Sequence, residues 1–359
     1  MPWKEQSIME AREEFCRVAC QEESTMRELC RRYGISPTTG YRWLGRYQAE
    51  GRAGLADRSR RQHPTWGGRK LRARLLALGT SSPVPSASSI TRILQRHGLV
   101  DPAASAQRRS PLRFCAPYPN DLWQMDFKGH FPLVDRGRCH PLTVLDDASR
   151  FDLALRALAN EQSDTVKAEL IRLFRCYGLP NRILCDNGAP WGNGRGGEVT
   201  TLGVWLLQLD VRLVHGRPAH PQTQGKDERF HRTLNEELVA ARSFATLGEA
   251  QRAFDEWREI YNLERPHEAI DLATPITRYH LSPRCYPEQL PAIEYPPGTL
   301  VRRVKSRGEI SFHGQVYFVG RALYHYPVAL HPTEDAAVYE VHFRHYRVGR
   351  IDCREPAGA

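Results

Sequence analysis

The stretch HPQTQGKDERFHRTL, His220 to Leu234, decides how the rest of the chain is read. Its first half holds Pro221, polar residues and Gly225, and reads as a loop. Beyond the glycine, Phe230, Leu234 and Leu238 recur at helical spacing, so a helix begins near Gly225. Two acids, Asp227 and Glu228, stand at that junction between Lys226 and Arg229. Glu228 falls about 200° round the helix from Phe230, so its carboxylate can point away from the core; Asp227 is turned by about 100° from it and competes for the same role. A solvated charged face would account for one such pair taken alone.

Two upstream acids change that reading. Asp126 lies in the strand-like run LWQMDF, and Asp186 ends a short apolar strand in RILCDNG. The spacing from Asp126 to Asp186 is 60 positions, and from there to Glu228 it is 42. A carboxylate on a strand, one at a strand end and one at a helix start can meet at one point. Three carboxylates brought together repel unless hard cations neutralise them. Two Mg²⁺ ions about 3.5–4 Å apart, held by oxygen ligands, are the natural occupants, and such a pair acts on both the attacking and leaving oxygens at phosphorus. Mn²⁺ is the expected substitute. No nucleophile elbow or phosphate-binding glycine loop competes for the chemistry.

The segments around these acids predict an α/β domain with a mixed sheet. PLTVLDDAS and FDLALRAL are strand-like, SDTVKAELIRLFRCYGLP is an amphipathic helix, GAPWGNGRGGE is a glycine-rich loop, and TTLGVWLLQL and VRLVHG read as helix and strand. Asp146 and Asp147, in VLDDAS, read as structural or turn residues. A helical segment, TLGEAQRAFDEWREIYNLERPHEAI, follows. From about Pro296 short alternating runs predict a small β-barrel or sandwich.

Ahead of this domain the chain is basic. The net charge is +10, and through the first 113 residues Lys and Arg outnumber Asp and Glu about two to one. Such a front end on a nearly neutral body suits a polyanionic partner. Within it, TMRELCRRYGISPTTGYRWLGRYQAE reads as helix, glycine turn and second helix, the helix-turn-helix pattern. Ser36 and Pro37 open the second helix, whose apolar side is read as Tyr41, Leu44 and Tyr47. Thr38, Thr39, Arg42 and Arg46 would then face a DNA groove. A second helical pair follows in WGGRKLRARLLALG and PSASSITRILQRHGL, with Ile90, Ile93, Leu94 and His97 inward and Arg92 and Arg96 outward. The expected organisation is a helix-turn-helix domain at 1–62, a second helical unit at 63–100, a basic linker at 101–119, the catalytic core at 120–290 and the β module at 291–359.

The motifs WQMDF, CDNGAPW and HPQTQGKDERFHRTL, in this order, resemble those of bacterial insertion-sequence transposases of the DDE class, which share the RNase H-like core of retroviral integrases. YNLERPHEAI and TPITRY resemble the segment that closes the same core, and the basic helix-turn-helix region matches the family's arm for binding DNA ends. The resemblance implies that Asp126 is the first acid, shared between both metals, and that Asp186 and Glu228 each hold one. It favours Glu228 over Asp227, because the family places Glu directly before Arg. Beside these acids, Lys226, Arg229 and Arg232 read as phosphate contacts or as solvated charges, Asn187 as a partner of Asp186 or DNA or as a turn residue, and His220, Gln222 and His231 as supporting hydrogen-bonding residues. Tyr261, Asn262, Arg265 and His267 are expected to brace the core. The implied activity is metal-dependent cleavage at the ends of a mobile element and transfer of the strands into target DNA, by a homo-oligomer assembled on DNA. An RNase H-like nuclease and a non-catalytic DNA-binding regulator are the alternatives.

Other classes are not supported. No run of about 18 apolar residues is present and the first residues lack an apolar signal core, so neither a membrane span nor secretion is expected. Nine scattered cysteines without a C-x-x-C pair fit a reducing, cytoplasmic setting. No small-molecule substrate is indicated.

Overall fold

The fold comes from a computed structural model that describes residues 8–20, 25–33, 35, 37–52, 65–79, 84–99, 115–192, 199–215 and 225–355. Helices α1 (Ile8–Cys20), α2 (Met26–Arg32) and α3 (Pro37–Glu50) enclose Phe15, Cys16, Leu29, Cys30 and Trp43. Thr25 caps α2 by accepting from Glu28 N. Gly40 makes the crossing of α3 possible, because a Cβ there would stand 2.5 Å from Cys30 Sγ and 2.8 Å from Phe15. That contact sets the roll of α3. Trp43 packs edge-on against Phe15 at 5.9 Å, and Tyr41, expected inward, is 61% exposed.

Helices α4 (Gly68–Ala77) and α5 (Ala87–Arg96) pack through Trp66, Leu71, Ile90 and Leu94. Ser86 caps α5 by accepting from Ser89 N. A single facing helix covers only the narrow stripe of Ile90 and Leu94. Ile93 and His97, expected inward, are therefore exposed.

The central sheet runs β2-β3-β1-β5-β6, with β4 on the other side of β3. Its strands are β1 (Trp123–Phe127), β2 (Phe131–Pro132), β3 (Arg138–Asp146), β4 (Asp152–Leu158), β5 (Arg182–Cys185) and β6 (Arg212–His215). β1 is antiparallel to β3 and parallel to β5, so the sheet is mixed, as the order of strands and helices implies. Alternate side chains of β3 serve opposite faces. Leu142 and Val144 join Trp123, Met125 and helices α6 (Ser163–Tyr177) and α7 (Thr201–Gln208) on one side. Cys139 and Leu145 join Phe230, Leu234 and Phe254 on the other, where α8 (Gly225–Leu234) and α9 (Leu247–Glu259) lie. The segment after α9 widens to a π-helix at Ile260–Glu264 and leaves helical geometry at Arg265, earlier than the periodicity suggested.

The C-terminal module has a four-stranded sheet, β12-β11-β10-β7, and a β8–β9 hairpin. The strands are β7 (Leu300–Arg303), β8 (Glu309–Phe312), β9 (Gln315–Phe318), β10 (Pro327–Pro332), β11 (Val338–Phe343) and β12 (Tyr346–Asp352). Its core of Ile310, Phe312, Val328, Val341 and Phe343 is continuous with Val204 and Leu207 of α7. Arg344 Nη1 donates to the carbonyls of Leu207 at 3.1 Å and Gln208 at 2.7 Å, satisfying orphan acceptors at the end of α7. The nine cysteines are free, and among the described residues no helix is long and apolar enough to cross a membrane.

Candidate active site

Asp126 is the fourth residue of β1, in the middle of the sheet. Gln124 pairs with Leu184 of the parallel strand β5, two residues before Asp126 and Asp186 respectively, so the two acids leave neighbouring strands at the same level. Adjacent strands lie about 4.8 Å apart, which makes the acids neighbours. The Asp126 side chain is 28% exposed and accepts from Phe127 N at 2.8 Å. Burial first, then the charge of Asp186, then those of Glu161 and Glu228, push its carboxyl up to about 6. Asp186 Oδ1 accepts from Gly188 N at 3.0 Å, and its carbonyl is bonded by His215 Nδ1 at 2.7 Å.

The two acids of α8 diverge. Phe230 and Leu234 are buried on the sheet and fix the roll of the helix. Glu228 is then exposed, within electrostatic reach of Asp126. Asp227 is only 2% exposed, and its Oδ1 has no hydrogen-bond partner among the described residues. Burial, then the charges of Asp126 and Asp147, drive its carboxyl well above the usual range.

His231, one turn after Asp227, is tied to the strand that carries Asp126. Thr143 Oγ1 donates to the Asp126 carbonyl at 3.0 Å and is 2.9 Å from His231 Nε2. The hydroxyl has one proton, and it is already used. His231 Nε2 must therefore donate, which leaves Nδ1 as a bare acceptor 3.9 Å from Asp126 Oδ2. Burial, aided by Lys128, lowers this imidazole to about 4, so the tautomer is neutral near pH 7.

The remaining residues singled out in the sequence fall into three groups. Lys226, expected at phosphate, turns inward and donates from Nζ to Asp147 Oδ1 at 2.5 Å, so its charge is already matched. Arg229 is 44% exposed, 3.9 Å from Glu268, and Arg232 and Asn187 are exposed near the acids. Arg92 and Arg96 are exposed on α5, and Arg46 is half-buried on α3. Thr38, Thr39 and Arg42 lie on α3, but their side chains are outside the described residues, as are His220 and Gln222 entirely.

The bracing segment is well connected. Asn262 accepts from Asp152 N at 2.8 Å and donates to Asp152 O at 2.9 Å, capping the start of β4. Tyr261 meets Phe230 edge-on at 4.9 Å, and Arg265 pairs with Glu237 at 2.9 Å. Two features escaped sequence reasoning. Glu264 takes Arg12 of α1 at 2.9 Å and Arg74 of α4 at 3.3 Å, joining both helical units to the core. Asp147 is fully buried and bonded to both β1 and α8.

Carboxylate oxygens are hard donors, the chemistry that suits Mg²⁺ or Mn²⁺. Among the described residues no group of three acids, histidines or cysteines is closed round a single ion. Asp126 and Asp186 leave neighbouring strands at one level, and Glu228 lies within electrostatic reach of Asp126.

Comparison with known families adds independent information. Residues 116–221 and 209–275 match models described as integrase core domains, residues 18–63 a helix-turn-helix domain, and residues 299–357 the IS481 family transposase C-terminal domain. By these matches the chain carries integrase core domains between a helix-turn-helix domain and a domain like the C-terminal one of IS481 family transposases. The chain is 28% identical over 160 residues to the 39.2 kDa protein of insertion element IS476 from Xanthomonas euvesicatoria, covering 44% of this chain and 43% of that protein. It is 26% identical over 157 residues to the 31.7 kDa protein of insertion element IS407 from Burkholderia multivorans, covering 44% and 54%. The chain thus spans about half the length of these curated relatives. Among solved structures, the HTLV-2 integrase catalytic core domain in complex with magnesium is similar with a TM-score of 0.35 and 16% identity, over 46% of this chain and 99% of that one.

Proposed function

We propose that the protein binds the ends of its mobile DNA element and joins their 3′-hydroxyls to target DNA by metal-assisted transesterification. The observation that carries this reading is the register of β1 with β5, which sets Asp126 beside Asp186 with Glu228 exposed on α8, on a chain that also holds integrase core and helix-turn-helix domains. Asp126, Asp186 and Glu228 would hold two divalent cations, with Asp126 shared. Bound there, the cations supply Lewis-acid polarisation of the phosphoryl group and a lowered pKa for the attacking water or 3′-hydroxyl. Arg229 and Arg232 hold backbone phosphates beside the acids. His231 keeps Nδ1 free to accept a hydrogen bond from a group lying against Asp126. Two element ends must be processed together, so the working form is a homo-oligomer on DNA.

The test is strand joining by the purified full chain on duplexes carrying the element's own ends, with magnesium or with EDTA. Joined products with magnesium alone support the proposal. Nicked but unjoined ends indicate a nuclease, and binding without chemistry a regulator.

Two further outcomes are expected. Without metal, Asp126 titrates near 6, against about 3.9 in an unfolded chain. A carboxyl raised on folding stabilises the fold while protonated, so this contribution is present below about pH 4 and lost as pH rises through 6. Melting temperature measured without metal should therefore fall between about pH 4 and 6, and the fall should be smaller in Asp126→Asn. Magnesium should raise the melting temperature of the wild type at pH 7.5, and the gain should shrink below pH 6 as protons compete. For the second helical unit, Arg92→Ala and Arg96→Ala should each lower the slope of log K against log salt for duplex binding by about 1. Unchanged slopes would remove α5 from the DNA surface.

A further inference from the structure

Asp147 follows β3 directly and exposes no surface. Both of its carboxylate oxygens are engaged. Oδ2 accepts from Ala116 N at 2.6 Å, and Oδ1 accepts from Gln124 Nε2 and from Lys226 Nζ, each at 2.5 Å. Lys226 Nζ also reaches the Asp147 carbonyl at 3.4 Å, and its side chain is 11% exposed. The two residues that meet on Oδ1 hold equivalent places. Gln124 stands two residues before Asp126 in β1, and Lys226 two residues before Glu228 in α8.

We propose that Asp147 is a positioning residue, and that the Gln124–Asp147–Lys226 clamp sets Glu228 against Asp126. The inference rests on the reading of these acids as metal ligands. The first turn of a helix lacks intrahelical partners for its N–H groups and is the part that frays. In α8 that turn carries Glu228, while the buried anchors Phe230 and Leu234 lie further along. They fix the roll of the helix but leave the height of its first turn to another contact. A buried, charge-assisted bond from Lys226 supplies it. The same carboxylate oxygen grips the strand of Asp126 through Gln124, so one atom references both acids. Arg150, 7% exposed, donates from Nη1 to the Asp147 carbonyl. That second cation stays beside Asp147 when Lys226 is neutralised, so Lys226→Met can fold.

The experiment titrates the full chain with Mn²⁺ and follows the free-ion electron paramagnetic resonance signal, with thermal melting measured in parallel. Lys226→Met is expected to weaken Mn²⁺ binding about ten- to a hundredfold at temperatures well below its melting point. Gln124→Met, which removes the other arm without removing a charge, is expected to weaken it several-fold, and it serves if Lys226→Met does not fold. A lower melting temperature with Mn²⁺ affinity within twofold of wild type in both variants would overturn the positioning role and leave Asp147 a purely structural residue. Asp126→Asn is the reference. If it too leaves Mn²⁺ binding unchanged, the assignment of the acids fails, rather than the clamp alone.

Discussion

Asp126→Asn, Asp186→Asn and Glu228→Gln are each expected to lower strand joining roughly a thousandfold or more, with binding to element-end duplexes within about twofold of wild type. Losing a cation's stabilisation of the reacting oxygens costs several kcal/mol, and about 4 kcal/mol is a thousandfold. Binding should persist because the helix-turn-helix is assembled from α1 to α3 around its own core of Phe15, Leu29 and Trp43. Asp227→Asn is the informative contrast. Asp227 is buried and its carboxyl is raised well above the usual range, which favours the neutral acid that an amide imitates. Joining by that variant should stay within about tenfold of wild type, since no charge that the chemistry needs is removed. Gel assays of joined products and of duplex retardation read both quantities from one preparation.

The second large effect is expected at Glu264. This residue, in the π-helical turn after α9, pairs with Arg12 of α1 and Arg74 of α4, whose side chains are 5% and 8% exposed. The same turn supplies apolar contacts, with Leu263 in the core of the first helical unit and Ile260 against that of the second. Glu264→Ala takes away the carboxylate that two buried guanidiniums share, and breaking such a pair costs about 3–5 kcal/mol. That cost exceeds what an isolated surface pair contributes. Hydrogen exchange should locate it: amides of α1 and α4 lose protection, while those of β1, β3 and β5 keep theirs. Uniform loss across the sheet would mean that Glu264 supports the core rather than the docking of the helical units.

The parts of this fold that follow a period were legible in the sequence. The strand-like apolar run in PLTVLDDAS and the helical stripe of Phe230 and Leu234 come from burial on two faces and on one, and burial is what a hydrophobic pattern encodes. The roll of α3 was not legible, because Tyr41 and Trp43 are both apolar and only the close crossing at Gly40 chooses between them. Ile93 was misplaced for a related reason: its stripe on α5 has one partner helix, too narrow to cover it. At the site, strand ends and a helix start could be read from the motifs, and the pairing of β1 with β5 then sets Asp126 beside Asp186. The partner of Lys226 could not be read. It lies 79 positions earlier, and a lysine next to an exposed acid looks the same whether it meets phosphate or a buried aspartate. The tautomer of His231 likewise depends on Thr143, 88 positions away, and on where that hydroxyl sends its proton.

The claim at the centre is that Asp126, Asp186 and Glu228 hold divalent cations. The most direct measurement is anomalous diffraction from crystals of the full chain grown with Mn²⁺ at about pH 7.5. The account predicts anomalous peaks within bonding distance of Asp126 and Asp186, with Glu228 turned in as a further ligand, and their loss in Asp126→Asn. Peaks ligated by Asp227 in place of Glu228 would contradict the third assignment, and strand-joining protein with no metal at Asp126 would contradict the account as a whole.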